Sequence, residues 1–269
     1  MRLIYVVPLA LAAGCVTEGD EIDTDDEVAD TEQAVTSTAL SNWTCSNTHF
    51  CNFDLGTASN RACFLAGIRG GAALQGNPGN GSLSGIWIDG NNHFQLTIYP
   101  PTGLGNVPIT VTTTCVTPGA HYSNTHWSPD QGSSVVIGGT TSATRCFLSQ
   151  VAMLGGGMTH YNDSVRVWKS GSTWRIGGST QSGFVDGNAI CFDATDVGDW
   201  GWGQGVSGSI TGNLNSNVGG GVACGLTEIG GVFTTNSSSD GVWIDYQARG
   251  MQWIWTLVNF KHGAATCIK

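Results

Sequence analysis

The chain has 269 residues, 40 of them glycine, with 40% apolar and 11% charged residues. The apolar share excludes a wholly disordered polypeptide, and 7 prolines without a triplet glycine period exclude collagen. Nine of the 20 acids stand between residues 16 and 34 with no base among them, so the formal net charge of −10 belongs mainly to that stretch. The remainder, 35–269, holds 11 acids against 9 Lys and Arg, which leaves no basic field for nucleic acid and no electrostatic route to a membrane surface.

In chain order, Met1-Arg2 and the apolar run Leu3 to Ala13 form a charged tip and a short hydrophobic stretch, too short to span a bilayer at about 1.5 Å per residue. The run ends in Leu11-Ala12-Ala13-Gly14-Cys15, which resembles the lipobox of bacterial lipoproteins. That resemblance implies a signal peptide over 1–14 and lipidation at Cys15. With Val16 next, it also implies delivery to the outer membrane or cell surface, so the membrane is met only through the lipid anchor. An ordinary secreted protein is the alternative. Residues 15–40 read as an acidic linker that its own charge keeps extended.

From there the chain repeats itself, over about 41–118, 119–195 and 196–269. The repeat cores open at Cys63-Phe64-Leu65, Cys146-Phe147-Leu148 and Cys224-Gly225-Leu226, and close at Cys115, Cys191 and Cys267. Each contains a glycine-rich turn, then an alternating strand (Ile86-Trp87-Ile88-Asp89, Val165-Arg166-Val167-Trp168, Val242-Trp243-Ile244-Asp245), a polar turn and a second aromatic strand. Period-two alternation broken by Gly, Asn and Ser predicts an all-β protein without helices. Export to an oxidising compartment predicts that the eight cysteines after Cys15 pair, and the repeats select Cys63–Cys115, Cys146–Cys191 and Cys224–Cys267, leaving Cys45–Cys51. Three equivalent β-units stapled in this way resemble the pseudo-threefold β-prism and β-trefoil lectins. Three consecutive small β-domains are the alternative architecture.

Catalytic signatures are absent: there is no His-Glu-x-x-His, no Gly-x-Ser-x-Gly, and none of the three lysines follows a glycine as a phosphate-binding loop requires. No cofactor and no metal are expected; Asp193, Asp196 and Asp199 read as turn formers rather than calcium ligands. In the alternating strands the apolar pairs Ile86/Ile88, Val165/Val167 and Val242/Ile244 point inward, so Trp87 with Asp89, Arg166 with Trp168, and Trp243 with Asp245 project outward. An indole packs on the C–H face of a sugar and a carboxylate accepts its hydroxyls, which makes these residues candidate ligand contacts. Trp200 and Trp202, in a glycine-rich stretch with no evident counterpart, are further candidates. Ser46-Asn47-Thr48-His49-Phe50 echoes Ser123-Asn124-Thr125-His126-Trp127, which reads as a recurring turn with its aromatic packed beneath.

The expected role is a surface-anchored extracellular protein that binds a glycan or another hydroxyl-rich polymer. The alternatives are a secreted hydrolase using His49, His126 or His160 with a Ser or Asp, and a structural or protein-interaction module.

Overall fold

Valine, isoleucine, threonine and aromatic residues alternating with small polar ones build strands, and the described residues form little else. The computed structural model describes residues 36–37, 39–46, 50–70, 74–75, 81–101, 107–117, 122–138, 144–181, 184–194, 196–203, 209–215, 223–233, 237–247, 252–259 and 261–268. They fall within a unit spanning Gln33–Lys269. The end of the 15–40 stretch read as a linker gives a short strand, β1 (Thr36–Ser37), and the first repeat gives β2 (Ser41–Cys45), β3 (Cys51–Thr57), β4 (Ala62–Arg69), β5 (Ser82–Ile88), β6 (His93–Tyr99) and β7 (Ile109–Thr117), with which β1 pairs. The second gives β8 (Tyr122–Trp127), β9 (Ser134–Gly138), β10 (Thr144–Leu154), β11 (Ser164–Ser170), β12 (Thr173–Ser179) and β13 (Phe184–Asp193). The third gives β14 (Asp196–Gly203), β15 (Ser209–Asn215), β16 (Ala223–Gly231), β17 (Gly241–Gln247), β18 (Gln252–Val258) and β19 (Lys261–Ile268). For β14 and most of β15 only the backbone is described.

These strands form three antiparallel sheets, and every sheet mixes two repeats. Sheet I joins β2, β7 and β4 of the first repeat, with β1 at their edge, to β17, β18 and β15 of the third. Sheet II joins β8, β13 and β10 of the second to β5, β6 and β3 of the first, and sheet III joins β14, β19 and β16 of the third to β11, β12 and β9 of the second. The architecture is therefore a threefold, β-prism-like set of sheets. Three consecutive domains are ruled out, because no repeat completes a sheet alone.

All four expected disulfides are present: Cys45–Cys51, Cys63–Cys115, Cys146–Cys191 and Cys224–Cys267. The three long ones join directly opposed residues of β4/β7, β10/β13 and β16/β19. The pairing slips by one residue three positions beyond each opening cysteine, at Ala66, Ser149 and Thr227, so a β-bulge recurs in all three units. A second bulge recurs at Leu55, Ile137 and Leu214, followed by Gly56 and Gly138 at φ +96° and +93° in the first two repeats.

The inner faces meet in one apolar core. Phe64 and Phe147 stack with ring centroids 4.1 Å apart, and Phe192 packs against both. The third repeat has Gly225 where the others have these rings; a Cβ there would stand 2.4 Å from Phe64 and 2.6 Å from Phe147. Threefold backbone symmetry thus requires a broken side-chain symmetry at the centre. Buried Phe94, Trp174 and Trp253 occupy equivalent inward positions on β6, β12 and β18. The loops after β4, β10 and β16 close one end: Met158 N donates to Leu74 O at 2.9 Å and Phe233 N to Met158 O at 2.7 Å, all three side chains being buried. The inward positions Ile86, Val165, Val167, Val242 and Ile244 are buried as the alternation requires.

The pairing register aligns the repeats differently from the sequence. Gln150 of β10 faces Gly85, Glu228 of β16 faces Arg166, and Gly67 of β4 faces Trp243. Gly85, Arg166 and Trp243 are therefore equivalent, as are Trp87, Trp168 and Asp245. The first repeat is offset by two residues from the alignment its Ile-x-Ile pattern suggests. An even offset leaves every side chain on its expected face, but it dissolves the recurring Trp/Asp pair.

Candidate functional site

Each sheet has a seam where its two repeats meet, and the outward positions along that row differ between sheets. On sheet I Trp243 lies across Gly67, and on sheet II Gln150 lies across Gly85; Cβ atoms at these glycines would stand 2.4 Å from Trp243 Cβ and 2.8 Å from Gln150 Cγ. On sheet III both partners are long, Arg166 and Glu228. The row continues through Thr112 and Thr256 on sheet I and through Asn188 and Thr97 on sheet II. On sheet III it continues through Ala264 and Gly177, which barely rise above the backbone. Beside this charged seam the face carries an open groove of ≈ 580 Å³ bordered by Tyr161, Asn162, Ser164, Arg166, Gly178, Ser179, Gln181, Glu228, His262 and Gly263.

One wall is the pair His262 and Glu228, on neighbouring strands β19 and β16. The imidazole lies over Gly230, where a Cβ would stand 2.3 Å from its Cε1. Nδ1 is 3.1 Å from Glu228 Oε1 and Nε2 is 3.1 Å from the carbonyl oxygen of Tyr161. Both neighbours are acceptors, so only the doubly protonated ring donates to the two together. The other wall is Arg166, exposed on β11, with its guanidinium carbon 4.5 Å from the centre of the Trp168 ring. The end wall is a loop held by Asp163. This fully buried carboxylate accepts the backbone N–H groups of Thr159, His160 and Gln181, fixing the segments that carry Tyr161, Asn162 and Gln181. Tyr161 stays 45% exposed, its ring 5.9 Å from the imidazole.

The outward residues picked from sequence are thus spread over three faces. Arg166 and Trp168 belong to the groove side. Trp87 is 42% exposed on sheet II, its indole N–H donating to Thr97 Oγ1 at 2.9 Å, and Thr97 in turn donates to Asn52. Asp89 is engaged by its own hairpin: Oδ1 accepts from Asn91 N and His93 N, and Oδ2 from Gln95 Nε2. Those donors, His93 N–H first, hold its carboxyl below the usual carboxylate range. Trp243 is half-buried on sheet I, capped by Arg69 at 5.1 Å, and its indole N–H donates to Asp245 Oδ2 at 2.7 Å. Trp200 and Trp202 pair along β19 at Ala265 and Gly263, and their side chains lie outside the described residues. Trp202 does have counterparts, since the same register position holds Trp43 in β2 and Trp127 in β8. Cys15 also lies outside the described residues, as do the side chains of Asp196 and Asp199; Asp193 is exposed on β13.

The second copy of the histidine echo is strand β8 rather than a turn, and its Trp127 is buried with its N–H on Gly132 O at 2.9 Å. Its structural counterpart is β2, not the 46–50 segment, whose Asn47, Thr48 and His49 lie outside the described residues. His126 Nε2 stands 3.8 Å from Asp186 Oδ2, and His160 Nδ1 accepts from Asn162 N at 3.2 Å. The groove instead uses His262, Glu228 and Tyr161, which no local motif singles out. The visible trace is Lys261-His262-Gly263-Ala264, a strand whose outward large residue is followed by two small ones. Among the described residues no group of three or more His, Cys, Asp or Glu is placed to hold a metal ion. No known protein family and no curated protein matches the sequence.

Proposed function

We propose that this is an exported, surface-anchored binding protein that recognises carbohydrate or another hydroxyl-rich polymer in the groove of sheet III. The observation that carries the reading is the groove itself: open, lined by charged and hydroxyl groups, and bordered by the exposed Tyr161. Open polar grooves of this kind suit an extended chain of hydroxyls, which hydrogen-bonds to side chains while its C–H faces pack on an aromatic ring. The four disulfides fit an extracytoplasmic compartment. The lipobox-like Leu11 to Cys15 supports an anchor at the outer membrane or cell surface, with the acidic linker holding the body away from it.

Hydrolysis draws on the His262–Glu228 pair, the one place where a carboxylate orients an imidazole in the groove. A general base needs its second nitrogen free for the substrate, and here Nε2 is turned to the Tyr161 carbonyl. Binding without turnover is the better reading. Its test is a glycan array with the mature protein, followed by titration of the best hits against Tyr161→Ala and Glu228→Gln. Weakened binding with unchanged melting temperature is expected. Binding to nothing on the array, or hits indifferent to both substitutions, would overturn it.

A further inference from the structure

We propose that Arg166, laid on Trp168 beside the seam of sheet III, is a receptor for a carboxylate group, so that the polymer bound in this groove is a uronate-containing polysaccharide. This deepens the groove-binding reading and rests on it. Arg166 and Glu228 are direct cross-strand partners, the arrangement in which opposite charges ordinarily pair. Yet Glu228 Oε1 is turned to His262, and among the described residues the Arg166 guanidinium makes no hydrogen bond or ion pair. Among the described residues the group it rests on is the Trp168 indole, at 4.5 Å. An arginine stacked on a ring has its plane fixed while its edge N–H groups remain open, which is the preparation needed for a two-pronged bond to a planar oxyanion.

Arg166 borders the open groove together with Ser164, Ser179 and Gln181, which gives that oxyanion its approach. The device is confined to one sheet: the equivalent positions are Gly85 and Trp243, neither of which carries charge. With 11 acids against 9 Lys and Arg outside the leader, the body offers no general attraction for polyanions.

The test is calorimetry of oligogalacturonate and its carboxyl-reduced, neutral counterpart of the same length, with dextran sulfate as a third arm. Wild type, Arg166→Gln and Arg166→Lys are compared at matched ionic strength. Wild type is expected to prefer the acidic oligomer by about tenfold or more. Arg166→Gln should bind the two oligomers alike at the neutral affinity, and Arg166→Lys, keeping charge but losing the fork, should recover only part of the preference. Equal binding of both oligomers by wild type overturns the carboxylate receptor while leaving the groove reading intact. So does a preference that survives in Arg166→Gln, or dextran sulfate binding as tightly as oligogalacturonate. Failure of wild type to bind any arm, together with an empty glycan array, overturns both.

Discussion

Trp243 crosses the seam of sheet I directly above Gly67, so closely that a Cβ on the glycine would stand 2.4 Å from the Cβ and 2.8 Å from the Cα of the tryptophan. The obstructing atoms are next to backbone and cannot swing away. Gly67→Ala is therefore expected to destabilise the protein by roughly 1–3 kcal/mol in urea unfolding. Trp243→Gly, which removes the opposing Cβ, should lessen the penalty when the two are combined; strict additivity would show that the contact is not the cause.

Lys261 and Asp240 form an ion pair at 2.7 Å with neither side chain exposed. The ammonium also donates to Val232 O and Asn259 O and sits 4.5 Å from the Phe233 ring. Burial pushes the lysine below its usual range, and Asp240 opposes that shift. Removing either partner alone (Lys261→Met or Asp240→Leu) strands a charge and should cost about 3–5 kcal/mol, whereas the double variant should cost clearly less than the sum. Chemical denaturation of the four-member cycle measures this directly.

Asp163 ties three backbone N–H groups of the groove's end wall to one carboxylate. Asp163→Ala leaves them without that acceptor and should lower stability by about 1–3 kcal/mol. Faster hydrogen exchange at Thr159, His160 and Gln181 is the specific readout. Unchanged exchange there would mean that the loop holds itself.

The pKa of Asp186 is shifted in the opposite direction from those of Asp54 and Asp89. Burial raises its pKa above the ordinary 3.8, with His126 opposing the shift. Between 3.8 and the raised value the native state holds more protons than the unfolded chain, so this group's contribution falls as pH rises through that window and stays unfavourable above it. Asp186→Asn should match wild type near pH 3, by which point both forms are neutral, and exceed it at pH 7. Urea midpoints across that range decide the matter; an Asn variant weaker at pH 7 would show that the carboxylate is needed charged.

The architecture was legible because cysteines and alternation are local signals that repeat. Cys63, Cys146 and Cys224 mark the same backbone position three times, and inward Val165 or Ile244 announces its face by parity alone. Register was less legible. Ile86-Trp87-Ile88 looks like Val242-Trp243-Ile244, yet hydrogen bonding sets Trp87 level with Asp245, since register is decided by strand partners far away in sequence. Trp202 illustrates the same limit: its likeness to Trp43 and Trp127 lies in what it pairs with, not in its neighbours. The groove was hardest to foresee. Arg166 could be picked from its strand, but His262 and Glu228 come from strands that meet only in the fold.

The interleaving of repeats has a consequence for how the chain may be cut. An isolated module such as 119–195 would present two half-sheets, β8-β13-β10 and β11-β12-β9, each with an unmatched inner edge. Each edge is shaped to receive the complementary half of another module, so the peptide would gain its missing strands only by associating with further copies of itself. Three copies close such a ring. The full polypeptide is thus built like a cyclic trimer with its subunits joined end to end, and no third of it is a self-sufficient folding unit.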